Sequence, residues 1–142
     1  KYPFHSALNS SAEEADFSFS GIKTAVVNLM HNAAQKGETL SKADIAASFQ
    51  RAVCDTLTLK AVHAARAHGS STLALAGGVS ANRALRSSLA LACEEQGIRF
   101  CCPDFRYCTD NAAMIACAGH YALMAGQLSG LDLNAAPDLE LV

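Results

Sequence analysis

The chain has 142 residues, of which 51% are hydrophobic and 17% charged, and its net charge is −2 at pH 7. This length predicts one domain that buries roughly two-thirds of its unfolded surface. Acidic and basic residues are interspersed, which excludes a polybasic nucleic-acid stripe, so any RNA contact has to be local or made by parts outside this chain. No apolar run is long enough to cross a bilayer and no signal peptide is visible, so we expect no membrane contact.

The first part of the chain predicts a strand followed by a helix. Residues 1–15 are polar and indicate irregular structure. Residues 16–20, D-F-S-F-S, alternate apolar and polar side chains, which predicts a half-buried strand ending at Gly21. Apolar residues then recur at helical spacing over 22–36, and Gly37 is a natural C-terminal cap.

A second and longer helix is predicted to begin at Ser41, because Ser41 and Asp44 form a capping-box pattern. Gly69 closes it. Its apolar face is expected to consist of Ile45, Phe49, Val53, Leu57 and Val62.

The remaining sequence predicts alternating strands and helices. In order, it indicates a strand at 72–76 buried on both faces, a break at Gly77 and Gly78, a helix at 80–96, a strand at 98–101, a helix at 110–125 capped by Thr109, and a loop tail over 127–142. This alternation is typical of an α/β layer with a sheet that is parallel in part. The predicted strands, including 16–20, are fewer than a complete doubly wound domain carries.

The six cysteines favour reduced thiols over disulfides. The chain lacks secretory features and is long enough to form its own core. Cys54, Cys93 and Cys117 lie inside apolar helical patterns, so we expect them to be small buried hydrophobes. Cys101, Cys102 and Cys108 offer an alternative as soft-metal ligands, but they do not form the two C-x-x-C pairs typical of a zinc site.

The segment around Gly77 and Gly78 is the sharpest candidate for a binding site. A buried strand runs into two glycines and a helix follows at once, which is where open α/β sheets bind ligands. Glycine lets the main chain approach a ligand closely, and the N–H groups of a helix N-terminus favour an anion. Asn82 adds a side chain that both donates and accepts hydrogen bonds, suited to a ribose hydroxyl or a carbonyl. The alternative is a tight turn in which the glycines only supply positive φ.

Asp110 is a second candidate, at the start of the last predicted helix. Its carboxylate is either a hard oxygen ligand for a cation or a charge that stabilises the helix N-terminus. The five histidines form no H-x-x-x-H pair, so we expect no complete metal site in this chain. The basic residues nearest to the candidate sites are Lys23, Arg83, Arg86 and Arg106. Each could contact a phosphate, but solvent exposure is the more common role of a single Lys or Arg.

Four sequence blocks resemble the TsaD family, formerly labelled glycoprotease or O-sialoglycoprotein endopeptidase. They are D-F-S-F-S-G-I-K-T-A-V at 16–26, D-I-A with the following helix at 44–57, A-G-G-V-S-A-N-R with L-R at 76–86, and C-T-D-N-A-A-M-I-A at 108–116. The resemblance covers about residues 16–126. It implies that the chain is the C-terminal half of a two-lobed protein with an actin-like, Hsp70-like ATPase-superfamily fold (ASKHA, RNase H-like), here with a helical insertion.

The resemblance also implies a division of the chain. Residues 1–142 would be one C-terminal domain fragment. Within it, residues 1–40 would hold the strand and the helical insertion, residues 41–126 the α/β nucleotide-binding layer, and residues 127–142 a tail.

The implied activity is a metal-dependent acyl transfer in tRNA modification. Family members transfer threonylcarbamoyl from threonylcarbamoyl-AMP to N6 of the adenosine beside the anticodon, in tRNAs that read codons beginning with A. By motif matching, Gly77 and Gly78 line the adenosine pocket, Asn82 contacts substrate, and Asp110 ligates a divalent metal such as Fe²⁺. No catalytic acid, base or nucleophile is assigned.

Other expectations follow from the resemblance. The family's H-x-x-x-H metal motif is absent from this chain, which we therefore expect to be inactive alone. Expected ligands and partners are ATP or the adenylate, tRNA and further subunits of the threonylcarbamoylation complex, in the cytoplasm. A dimer formed through the truncated face is a further expectation. The rival interpretations are a metallopeptidase, which needs a water-activating base, and a non-catalytic scaffold that binds nucleotide.

Overall fold

The computed structural model describes residues 1–4 and 16–135. In chain order the elements are α1 (Ser20–Lys36), α2 (Lys42–Ala67), β1 (Thr72–Ala74), a first 3₁₀ turn (Gly78–Ala81), α3 (Arg83–Glu95), β2 (Arg99–Cys101), a second 3₁₀ turn (Phe105–Tyr107) and α4 (Ala112–Met124). They divide into two compact units, Lys1–Cys108 and Thr109–Val142. The irregular structure predicted for 5–15 and for the end of the tail, 136–142, lies outside the described residues. No helix within the described ranges has both the length and the apolar character that a membrane span requires.

The sheet within the described residues has two parallel strands joined through α3. Thr72, Leu73 and Ala74 of β1 pair with Arg99, Phe100 and Cys101 of β2. This confirms the predicted α/β class and the parallel pairing, because parallel neighbours need a crossover such as a helix. β1 is shorter than the predicted strand 72–76, and it is only half-buried at Thr72 and Leu73 and exposed at Ala74, where burial on both faces was expected.

The strand predicted for 16–20 is wrong. Residues 16–19 are irregular, and α1 already begins at Ser20 with Phe19 as its N-cap. The alternating pattern instead places Phe17 and Phe19 side by side, with their rings stacked at 6.3 Å. The segment is held by a side chain, since the Nζ of the buried Lys60 donates to the main-chain oxygen of Asp16 at 2.6 Å.

Capping side chains set the helix boundaries. Ser41 Oγ accepts from Asp44 N at 3.2 Å and so begins α2, as predicted, while Gly37 (φ 68°) ends α1. The helix predicted from Ser80 begins at Arg83 instead, because a 3₁₀ turn precedes it. The last helix begins at Ala112, and its cap is Asn111 rather than the predicted Thr109. In α3 and α4 the start is set by an Asn side chain, Asn82 or Asn111, whose oxygen accepts from the main-chain N–H three residues later.

The core of the first unit forms where α2 packs on α3 and the sheet. One cluster has Cys54, Leu85 and Leu89 at its centre, with Leu73 and Phe100 against it. It continues into a second cluster of Val62, Cys93 and Ile98, while a third, around Phe4, Ile22 and Ile45, joins α1 to the start of α2. Leu85, Leu89 and Cys93 are spaced by four residues, so they form one stripe along α3.

The cysteines separate into two groups. All six are free, and Cys54, Cys93 and Cys108 are buried. Burial raises the pKa of the Cys54 and Cys93 thiols, which keeps them protonated at neutral pH and confirms their interpretation as small core residues. Cys117 is exposed, so its predicted burial is wrong.

We predict that Leu89→Ala lowers the free energy of unfolding by about 2–5 kcal/mol, because it leaves a cavity in the packed stripe between α2 and α3. The matched control is Leu91→Ala on the same helix. Leu89 is 2% exposed and Leu91 is 59% exposed, so the control should change stability by less than about 0.5 kcal/mol. Urea unfolding followed by circular dichroism measures both. Equal losses would show that the α2–α3 contact is not the core.

Candidate functional site

The glycine segment lies directly beyond β1, as the sequence predicted. Gly77 follows the strand with φ 81° and ψ 176°, and Gly78 begins the first 3₁₀ turn. Ser80 closes the turn by donating its N–H to Gly77 O at 3.0 Å, and Asn82 N then donates to Val79 O at 2.9 Å. Within this unit, therefore, the main chain turns sharply at the carboxyl end of a parallel strand and enters α3.

The two glycines have different physical explanations. Gly77 occupies a backbone region that other residues rarely adopt, so the turn itself requires it. Gly78 has no positive φ, and a Cβ built at Gly78 would have no heavy atom within 4 Å. The fold of the described chain therefore gives no reason for glycine at 78. The alternative of a tight turn accounts for Gly77, whereas neither the backbone angles nor the surroundings of Gly78 require a glycine there.

Asn82 has a structural role that the sequence did not predict. Its Oδ1 accepts from Leu85 N at 3.1 Å and so caps α3. Its Nδ2 lies 3.5 Å from Oε1 of the exposed Gln50, at the outer limit of a hydrogen bond. The amide oxygen is thus committed to the helix, and the amide NH₂ is the group through which Asn82 would contact a ligand.

The Arg86 side chain connects the glycine segment to the chain that follows β2. Its Nε donates to Ser80 O in the 3₁₀ turn, and its Nη2 donates to Pro103 O at 2.6 Å and to Cys108 Sγ at 3.0 Å. Nη1 contacts Cys102 Sγ at 3.4 Å, and the Phe105 ring lies over the guanidinium with 4.2 Å between Cζ and the ring centroid. Every edge of the planar group has a partner. Arg86 is therefore a framework residue, and its possible role in phosphate binding is not supported.

The other basic residues near the segment are exposed. Arg83 lies 5.7 Å from the Phe105 ring centroid. Arg106 pairs with Asp104 at 3.7 Å and stacks on Tyr107 at 4.6 Å, and Lys23 is an exposed residue of α1. Of these, Arg83 is the cation closest in sequence to Asn82, on the first turn of α3. The partners of Arg86, which include Cys102, Cys108 and Phe105, lie downstream in the sequence. Sequence spacing alone does not show that they contact Arg86.

The second unit carries Asp110 at the start of α4. Asn111 Oδ1 accepts from Met114 N at 2.9 Å, and Asn111 Nδ2 donates to Thr109 O at 2.9 Å. The neighbouring amide is thus used for capping, and Asp110 is one residue before the cap, beside an open hollow whose walls include Met114 and Ile115. The side-chain cap of α4 is thus Asn111, and Asp110 remains either a charge near the helix N-terminus or a ligand for a cation.

The described residues around Asp110 supply few ligands for a metal ion. Across residues 1–4 and 16–135, no group of three or more His, Cys, Asp or Glu side chains is close enough to hold one. Asp110 offers a single carboxylate, whereas protein-bound divalent ions take several ligands.

Comparison with known proteins gives one family. Residues 1–117 match the model of the family described as TsaD, tRNA N6-adenosine threonylcarbamoyltransferase. Relatives that carry this name include those from Caldicellulosiruptor saccharolyticus (46% identical over 142 residues, 100% of this chain and 41% of the relative), Moorella thermoacetica (48% over 126 residues, 89% and 37%) and Clostridium botulinum strain Hall (45% over 126 residues, 89% and 37%). The chain spans about two-fifths of the length of these relatives.

We predict that Arg86→Lys lowers the free energy of unfolding by about 1–3 kcal/mol, because an ammonium cannot reach all the acceptors that the planar guanidinium serves. Arg83→Lys is the control, since Arg83 is exposed on the same helix and has the Phe105 ring contact as its one interaction among residues 1–4 and 16–135. Urea unfolding measures the difference between the two variants. A loss of stability no larger for Arg86→Lys than for Arg83→Lys would contradict the framework role.

Proposed function

The chain belongs to the TsaD family of tRNA N6-adenosine threonylcarbamoyltransferases, and from that membership we propose that it forms one wall of the substrate site of such an enzyme. The reaction would transfer threonylcarbamoyl from threonylcarbamoyl-AMP to N6 of the adenosine beside the anticodon, in tRNAs that read codons beginning with A. We propose further that the α/β unit is half of an actin-like fold, with the adenylate bound at the carboxyl end of its strands.

The observation that carries this proposal is Gly78. The main chain there is exposed, has no crowding neighbour and has no backbone reason for glycine. A flat adenosine could lie against it without meeting a Cβ. The same turn leads into the N-terminus of α3, a 13-residue helix whose first N–H groups favour the phosphate of an adenylate. Gly77 shapes this turn, and the Asn82 NH₂ would donate to a hydroxyl or carbonyl of the substrate.

The role proposed for this chain in the reaction is to position the adenylate. In the transfer, N6 of the adenosine forms a bond to the carbamoyl carbon, the bond from that carbon to the phosphate oxygen breaks, and AMP leaves with that electron pair while N6 loses a proton. Residues that hold the adenylate rigidly reduce the entropic part of the barrier. Asp110 would contribute one carboxylate to a divalent metal, such as Fe²⁺, whose other ligands come from outside this chain.

We predict that Gly78→Ala weakens binding of ATP or of a non-hydrolysable threonylcarbamoyl-adenylate analogue by roughly tenfold or more, because the added Cβ occupies the space of the ligand. Asn82→Ser should also weaken binding, and it retains an oxygen that caps α3 and so preserves the helix. Isothermal titration calorimetry measures both. The matched control is Gly119→Ala, since Gly119 also has open space around a built Cβ and no positive φ. If Gly78→Ala binds like the control, the site assignment is wrong.

We predict that a chimera in which this chain replaces the matching 142 residues of the Caldicellulosiruptor relative forms threonylcarbamoyladenosine in tRNA, detected by mass spectrometry of digested tRNA. Asp110→Asn in the chimera should lower both the bound metal, measured by elemental analysis, and the transfer rate, the rate by about 100-fold. Asp104→Asn is the control, because the Asp104 carboxylate contacts only exposed Arg106 among the described residues. A chimera that binds tRNA but never modifies it would favour the scaffold alternative, and peptide cleavage without transfer would favour the peptidase.

A further inference from the structure

Two cysteine thiols meet at the guanidinium of Arg86. Nη1 of Arg86 donates to Cys102 Sγ at 3.4 Å, and Nη2 donates to Cys108 Sγ at 3.0 Å. Both cysteines are free, and Cys102 is exposed whereas Cys108 is buried. Because Nη1 and Nη2 are attached to the same carbon, the two sulfur atoms lie near each other, although they belong to opposite ends of the segment 102–108.

The segment 102–108 is folded around that guanidinium. Pro103 O accepts from Nη2 at 2.6 Å, and the Phe105 ring centroid lies 4.2 Å from Cζ. The second 3₁₀ turn then bends the chain back, and Cys108 N donates to Phe105 O at 3.3 Å. A bond between the sulfur atoms of Cys102 and Cys108 would therefore close a loop whose ends the fold has already brought together.

The other four cysteines offer no comparable pair. Cys54 and Cys93 lie in separate core clusters, and burial raises the pKa of both thiols, which keeps them protonated and unreactive. Cys117 belongs to the second unit. Cys101 is adjacent to Cys102 but belongs to β2, and neighbouring side chains along a strand point to opposite sides. The pair on Arg86 is thus the one that the fold prepares for oxidation.

We propose that Cys102 and Cys108 are a redox-sensitive dithiol, which a peroxide converts to a disulfide. The exposed Cys102 thiolate attacks one oxygen of hydrogen peroxide and the O–O bond breaks, which gives a sulfenic acid and hydroxide. Cys108 Sγ then attacks the sulfenic sulfur, and the departing hydroxide leaves as water with the proton of the Cys108 thiol. The first hydroxide takes up the proton that Cys102 lost. Two electrons pass from the sulfur atoms to the peroxide, which becomes two molecules of water.

The disulfide would change the anchor of the glycine segment. Two unbonded heavy atoms are separated by about 3.5 Å or more, whereas a disulfide holds its sulfur atoms about 2.05 Å apart. The sulfur atoms therefore approach each other, and at least one of their contacts with Arg86 lengthens. The Nε of Arg86 is bonded to Ser80 O in the first 3₁₀ turn. A guanidinium that loses an acceptor at one end moves, and the turn loses its fixed support.

This proposal does not depend on the proposed transfer reaction, because a dithiol can close in a protein that transfers nothing. Its readouts are a covalent bond and main-chain hydrogen exchange, and neither requires adenylate, metal or tRNA. A chain that fails to bind adenylate would leave the dithiol proposal standing. Equally, a chain that forms no disulfide would leave the proposed function standing.

Peptide mass spectrometry of the chain after treatment with hydrogen peroxide tests the disulfide. Cleavage after Arg106 separates the two cysteines, so the bond joins two peptides, and dithiothreitol should release them. Cys102→Ser should lower the yield of joined peptides at least about tenfold, because it removes the attacking thiol. Cys101→Ser is the matched control and should give the yield of the unmodified chain. The proposal is overturned if the bond joins Cys101 rather than Cys102, or if Cys102 is oxidised to sulfinic acid while Cys108 stays a thiol.

Amide hydrogen exchange by NMR tests the effect on the glycine segment. The N–H groups of Ser80 and Asn82 donate to main-chain oxygens of the turn itself, so their exchange reports whether the turn is intact. Oxidation should accelerate both at least about fivefold and leave Leu89 N–H, in the middle of α3, unchanged. Cys102→Ser treated with the same peroxide is the control for other oxidative damage and should show no acceleration. Unchanged exchange in a chain whose disulfide is complete, or equal acceleration in Cys102→Ser, contradicts the effect.

Discussion

The guanidinium of Arg86 is the interaction on which the arrangement of the glycine segment depends. It joins two stretches of chain. One is the 3₁₀ turn, through Ser80 O, and the other follows β2, through Pro103 O and Cys108 Sγ, which lie 17 and 22 residues after Arg86. A lysine in its place could satisfy only part of this set, because its charge has no planar fork. The Phe105 ring covers one face of the group, with 4.2 Å between Cζ and the ring centroid. The turn that presents Gly77 and Gly78 is therefore held by a side chain that bonds to its main chain, which allows an exposed loop to be rigid.

Within this turn, the two glycines differ in why a glycine is needed. Gly77 is required by its backbone angles and would be needed in any protein with this turn. Gly78 is required neither by its backbone angles nor by its neighbours in the described chain, and the proposed contact with an adenylate would explain it. The contrast also explains why a pair of glycines in a sequence is ambiguous. One of them can be entirely structural while its neighbour carries the functional information, and only the backbone angles and the surrounding space distinguish them.

The sequence predicted what local patterns control and missed what distant contacts control. The α2 helix, its Ser41 cap, the Gly37 end of α1 and the order of β1, α3 and β2 follow from spacing and capping residues within a few positions. The supposed strand at 16–20 failed because alternation also suits an irregular segment whose two aromatic rings stack. The early start assigned to α3 failed because a 3₁₀ turn and an α-helix share the same residue preferences over four positions. Arg86 was identified as basic but not as a framework residue, since its partners at 102–108 come together only in the folded unit.

The incomplete sheet and the single carboxylate lead to the same physical conclusion by independent routes. A sheet of two short strands leaves main-chain groups and an apolar groove without partners in the described residues, which costs stability. One carboxylate cannot satisfy a divalent cation, which costs affinity. On the function proposed above, the other ligands of the metal come from outside this chain, so an association that supplies them would also assemble the site. Metal affinity would then rise together with folding stability, because each depends on the same association. In the isolated chain, Arg86 would still hold the glycine segment in shape, whereas metal binding would require the ligands from outside this chain.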